Sequence, residues 1–247
     1  MFKVDGGSLD VIHCSLDGCE TDTNPTQITA HFFKVNSGEV SCSKLSVMGL
    51  SFVGAKLIDT TSYTSFSVTD SEFASLTSDS TLISLKDSSD TTGAKQASIS
   101  HSNFTTIACT GGDGGVVSAV LTTGQSLTLT SIVFIDITCS SATAKGGAVF
   151  ASLDSSASLH IVSCTFKGCV ATDTSSGSNS TGGGMRLMFL LSFSGKFSIS
   201  SPVFDTPTTN NADYGKDLFI SSYNLNQHIG TDSISFDYTV DTVKDRF

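Results

Sequence analysis

The chain has 247 residues, of which 74 are Ser or Thr, and its net charge is −10 with only two arginines, Arg186 and Arg246. That balance argues against a nucleic-acid backbone or an anionic lipid surface as partner, since both call for concentrated basic side chains. No stretch is apolar and long enough to cross a bilayer as a helix; the richest run, MRLMFLLSF at 185–193, is short and carries Arg186.

Taken in chain order, the predicted elements repeat one theme. The first unit sets Leu9 and Val11 ahead of Leu16, the second Leu45 and Val47 ahead of Phe52, the third Phe66 and Val68 ahead of Phe73. The triplet returns as Ala97, Ile99 and Phe104, as Leu127, Leu129 and Phe134, as Leu159, Ile161 and Phe166, and as Phe197, Ile199 and Phe204. The first two members lie seven and five residues before the third, and the residue between them is always polar: Asp10, Ser46, Ser67, Ser98, Thr128, His160, Ser198. With 38% hydrophobic residues, an apolar residue at every one of those paired positions would arise by chance about once in a million. Apolar–polar–apolar alternation marks a strand with one buried face. The expected core ladder is therefore Val11, Val47, Val68, Ile99, Leu129, Ile161 and Ile199.

Glycines punctuate the units. Gly54, Gly115 and Gly147 each lie 19 residues before an anchor and open a further apolar run. Each unit thus offers three short strands. The anchors are spaced by 36, 21, 31, 30, 32 and 38 residues. The longer units carry their extra polar residues ahead of the next glycines, as in ATDTSSGSNST before Gly182. Insertions gathered at one corner fit a stacked solenoid, in which each layer touches only its neighbours.

This pattern resembles the right-handed parallel β-helix of the pectin-lyase-like class. The wording GGAVF…CTFKGC, between Gly146 and Cys169, is similar to polymorphic outer membrane protein repeats and to the right-handed β-helix region proteins of protists. The position three past the anchor holds Ala55, Leu76, Ile107, Ile137 or Cys169, where that bacterial repeat has asparagine. The resemblance implies an all-β, right-handed parallel β-helix solenoid with three short strands per coil and about seven to eight coils stacked some 4.8 Å apart. It implies one domain over residues 1–247, a piece of a longer solenoid, with 215–247 an imperfect last coil and tail.

The chemistry-bearing residues are dispersed. Cys14 and Cys19 match Cys164 and Cys169 in register, but too many units separate the pairs for one metal site, and the spacing is not that of a zinc knuckle. Cys109 and Cys139 share a column of neighbouring units and are candidates for a disulfide in an oxidising compartment; the odd total of seven cysteines argues against a complete disulfide framework. His13 and His101 occupy matching corners, and His160 lies in the outward polar column. Enzymes of this fold that cut acidic polysaccharides rely on neighbouring carboxylates with basic clamps. Here Asp70 and Glu72 alternate on one strand, Asp87 and Asp90 lie in a loop, and Asp17, Asp136 and Asp205 follow their anchors in separate units. TGGDGGVV at 110–117 has the glycine–aspartate wording of a calcium roll but occurs once, and such rolls bind through repetition. No catalytic group, metal or cofactor is expected.

Asn103 in NFT and Asn179 in NST are glycosylation candidates for a chain that enters a secretory pathway, although the opening residues MFKVDGGSLDV lack the apolar centre of a secretory signal. The expected function is a non-enzymatic, surface-exposed or secreted scaffold, adhesin-like, with glycans or surface proteins as partners. It binds no nucleic acid and does not insert in a membrane. The alternatives are a polysaccharide lyase or glycoside hydrolase of the pectin-lyase-like class, or a truncated fragment without independent function.

Overall fold

The computed structural model describes residues 2–18, 26–86, 94–142, 144–175, 179–204, 210–222 and 234–235. Among these residues there is no helix, and therefore none long and apolar enough to cross a membrane. In chain order the strands begin with β1 (Phe2–Ile12), β2 (Ser15–Asp17), β3 (Thr26–Ile28), β4 (Phe33–Ser43), β5 (Ser46–Met48), β6 (Leu50–Phe52), β7 (Ile58–Thr60), β8 (Ser65–Thr69) and β9 (Glu72–Ser78). Then come β10 (Ile83–Lys86), β11 (Lys95–Ser100), β12 (Asn103–Cys109), β13 (Val117–Leu121), β14 (Gln125–Thr130) and β15 (Val133–Ser141). The remainder are β16 (Val149–Leu153), β17 (Ser158–Val162), β18 (Thr165–Lys167), β19 (Val170–Asp173), β20 (Met185–Phe189), β21 (Lys196–Ser200), β22 (Val203–Phe204), β23 (Leu218–Ser222) and β24 (Ile234–Ser235).

The described strands form two long parallel sheets of 14 and 10 strands. Pairing joins strands of successive sequence units rather than neighbours in the chain: β7 pairs β10, β8 pairs β11 and β9 pairs β12, each in parallel. Parallel partners need a crossover between them, and here the crossover consists of the other two strands of the unit. The larger sheet has two arms joined through β4, whose start pairs with β7 and whose end pairs with β8.

Register stacks like on like. Phe73, Phe104, Phe134, Phe166 and Phe204 are consecutive partners. Their rings stack at centroid distances of 4.7, 5.5, 5.0 and 5.3 Å, within the range where offset aromatic pairs attract. The adjacent ladder runs Val11, Cys42, Val68, Ile99, Leu129, Ile161 and Ile199. All but Val11 are fully buried. Val11 is partly buried because, among the described residues, β1 has a partner on one edge only.

This corrects the expected ladder at Val47. That residue pairs with Leu16 and Phe73 and so belongs to the anchor column, while Phe52 pairs with Ile28 and Ser78. Val47 and Phe52 both point inward, so hydrophobicity does not distinguish them. The corner before the strand does. His13, Lys44, Asp70, His101, Ser131, Ser163 and Ser201 all hold left-handed φ values between 47° and 54°. Each precedes its anchor by three residues, and Lys44 assigns the anchor of its unit to Val47. The expected shortest unit of 21 residues, counted from Phe52, is lost with that reassignment.

The corner leaves backbone groups to satisfy, and two serines do so from inside. The Ser102 hydroxyl donates to the Ser100 carbonyl at 2.8 Å and accepts the Ser71 N–H at 3.1 Å. The Ser71 hydroxyl donates to Thr69 O at 2.7 Å and accepts the Leu45 N–H at 3.1 Å. A buried hydroxyl is tolerated only when bonded in this way.

The glycine column also differs from expectation. It runs Gly115, Gly147 and Gly183, with the Gly115 N–H donating to Gly147 O at 2.9 Å. Gly54 lies outside it; its N–H donates to the Asp79 carboxylate at 2.6 Å.

Candidate binding face

The outward side chains of β8, β11, β14 and β17 fall into three registered columns. The middle one is Ser67, Ser98, Thr128 and His160, flanked by Ser65, Gln96, Ser126 and Ser158 on one side and by Thr69, Ser100, Thr130 and Val162 on the other. Strand spacing sets neighbours in a column about 4.8 Å apart, and the two-residue repeat sets columns about 6.7 Å apart. The result is a lattice of hydroxyl groups with no Asp, Glu, Lys or Arg in it. Formal charge borders it at Glu39 beside Ser65, at Lys196 beside Ser158 and at Asp70 in the corner after Thr69.

A shallow depression of about 350 Å³ opens on this face, bordered by Ser65, Gln96, Ser98, Ser126, Thr128, Ser158 and His160. His160 Nδ1 lies 2.8 Å from Ser198 Oγ, which holds the ring along its column. Hydroxyl and amide groups donate and accept equally well, so the face suits an uncharged partner rich in hydroxyls. The three columns contain no Lys or Arg to meet a carboxylate or phosphate. Sequence reading found the middle column but assigned its second member to Ser46; the register puts Ser41 there. The flanking columns were missed, although Ser-x-Ser and Thr-x-Thr spacing along β8, β11 and β14 signalled them.

Carboxylates are spread over other surfaces, and several are engaged locally. Asp70 stands in a left-handed corner, off the strand that begins at Glu72, so the two do not alternate on one strand as expected. Asp136 occupies a second corner with φ of 54°, and Asp17 is exposed at the end of β2. Asp59 pairs with Lys56 at 2.7 Å and Asp113 with Lys145 at 3.2 Å. Asp213 accepts the Ser180 hydroxyl at 2.6 Å. Arg186 donates to Thr181 Oγ1 at 2.7 Å and lies over the Phe219 ring. Among the described residues, no three His, Cys, Asp or Glu side chains converge as metal ligands. Asp87, Asp90, Asp205 and Cys19 lie outside the described residues. His13 and His101 share the left-handed corner column. Asn103 and Asn179 are both exposed.

Cys42, Cys109, Cys139, Cys164 and Cys169 are buried thiols and Cys14 a partly buried one. Cys109 and Cys139 are register partners across β12 and β15 with no bond joining them. Burial pushes the Cys42 thiol up to about 12, with Cys14 and Asp10 adding to the shift. It likewise pushes Cys164 up to about 11 and Cys169 to about 12. The folded chain therefore holds protons that the unfolded chain releases above the thiol's ordinary value of 9.0. Stability is complete below about pH 9 and falls as pH rises toward 11 to 12, by roughly 1 kcal/mol per pH unit for each buried thiol. Urea midpoints measured from about pH 8 upward should fall accordingly, and Cys164→Ala should make the decline shallower.

Among the described residues, the fold and this face define an all-β protein of long parallel sheets with an extended polar surface rich in Ser and Thr. Compared with protein-family models, curated proteins and solved structures, the chain has no match.

Proposed function

We propose that the chain is a right-handed parallel β-helix solenoid of the pectin-lyase-like class, with three strands per coil and about seven to eight coils. It forms one domain and serves as a non-enzymatic, surface-exposed or secreted scaffold that binds neutral glycan chains. Parallel pairing between strands of successive units supports the coil. The observation that carries the binding role is the registered, charge-free hydroxyl lattice with its depression across β8, β11, β14 and β17. Hydroxyl-to-hydroxyl hydrogen bonds to an extended sugar chain match such a surface in chemistry. The scatter of the described carboxylates, several of them tied to local partners, favours binding over turnover. Exposure of Asn103 and Asn179 is compatible with an extracellular site.

A glycan array carrying both neutral and uronate-bearing chains tests the reading. Neutral chains should be retained, and the double change Ser98→Glu and Thr128→Glu should weaken retention at least about tenfold. The same samples should release no unsaturated uronate. Turnover, or retention of uronate chains alone, would replace the scaffold with the enzyme.

A further inference from the structure

Register pairing singles out one thiol pair. Cys109 on β12 and Cys139 on β15 are direct partners. Parallel neighbours lie about 4.8 Å apart, inside the Cα range of roughly 4.4–6.8 Å that a disulfide spans. Both side chains are buried, at 1% and 0% exposure, Cys109 in the main core and Cys139 in a small cluster with Ala144 and Ala171. No other two cysteines among the described residues are register partners.

A second observation concerns how the pair is reached. Cys109 Sγ donates to Gly115 O at 2.8 Å and Cys139 Sγ to Gly112 O at 3.7 Å. Both thiols therefore lie under one corner, TGGDGG at 110–115, which carries glycine at four of its six positions. Gly112 and Gly114 hold φ of 81° and 74° there. The corner is held by Thr110 N–H donating to Ser78 O at 2.9 Å, Gly114 N–H to Lys145 O at 2.7 Å, Gly115 N–H to Gly147 O at 2.9 Å, the Thr81 hydroxyl to Gly114 O, and the Asp113–Lys145 ion pair. Between Thr110 and Asp113 it lies at the surface, where local opening costs less than opening the core. Such an opening releases the Gly112 and Gly115 carbonyls from the two sulfurs.

We propose that Cys109 and Cys139 are a disulfide-forming site, closed by exchange with a small-molecule disulfide when the glycine corner opens. In the first exchange one protein thiolate attacks the small disulfide, forming a mixed disulfide and expelling one small thiolate. In the second the other protein thiolate displaces the remaining small thiol. One S–S bond breaks and one forms; the two protons leave the protein and end on the two small thiols. The product ties β12 to β15 and takes away the two S–H donors now engaged by Gly112 and Gly115. Burial raises both thiols above their ordinary value, so exchange is slow while the corner is shut.

The test uses the full chain, incubated natively and also refolded, in oxidised glutathione or in reduced glutathione. The expected result is loss of two of the seven thiols in the oxidised arm and a peptide map under non-reducing conditions linking Cys109 to Cys139. The melting temperature should rise by about 5–10 °C, reversed by a reducing thiol. Cys139→Ala should abolish that link and the temperature shift. Retention of all seven thiols after oxidised refolding overturns the proposal. So does a bond mapped elsewhere, such as Cys14 to Cys42, or a stop at mixed disulfides.

Discussion

Phe134→Ala is expected to destabilise the protein by about 3–5 kcal/mol. The ring is fully buried and stacked on both faces, 5.5 Å from Phe104 and 5.0 Å from Phe166. Truncation removes the transfer free energy of the ring and two aromatic contacts, each worth roughly 1 kcal/mol. It also leaves a cavity that the neighbours cannot fill, because backbone pairing pins every layer at the strand spacing. Phe204→Ala should cost less, since that ring retains 6% exposure and so leaves less transfer free energy and a less enclosed cavity. Urea unfolding of the two variants beside the parent measures the difference; equal losses would mean that complete enclosure of the Phe134 ring adds nothing.

Gly147→Ala is expected to be as damaging for the opposite reason, at about 3 kcal/mol or more. A Cβ there would run into the Gly183 carbonyl and come within 2.8 Å of the Val170 N. These are backbone atoms fixed by pairing, so no side chain can turn aside to make room. Gly54 is the control: a Cβ meets nothing within 4 Å, but φ is +63°. Gly54→Ala should therefore cost only the left-handed penalty of roughly 1–2 kcal/mol. Thermal melts of the two variants separate close approach from backbone conformation, and similar losses at both sites would remove close approach as the reason for Gly147.

The candidate face was partly legible in the sequence. The column through Ser67, Ser98, Thr128 and His160 stood out because it lies between two apolar columns, where period-two alternation is easy to see. The columns of Ser65 and Thr69 sit at strand ends, where the alternation runs into corners and its contrast fades. That these columns adjoin, and that a depression opens between the Ser65 column and the middle one, depends on which strands are neighbours. The buried serines at Ser71 and Ser102 were also unreadable, since a serine gives no sign in sequence of whether its hydroxyl replaces a backbone partner inside a corner.

Alone, the order of residues determined that strands recur, which side of each is apolar and that Phe73, Phe104, Phe134 and Phe166 are equivalent. Side-chain direction within a strand is a local property of the extended backbone, so composition at alternate positions is enough to read it. Only the tertiary structure decided that Cys42, not Val47, stands between Val11 and Val68, and that Gly183, not Gly54, completes the glycine column. Register is set by hydrogen bonds between residues a whole unit apart and by the left-handed corner at Lys44. Neither leaves a mark in the local pattern when two inward residues, Val47 and Phe52, compete for one place.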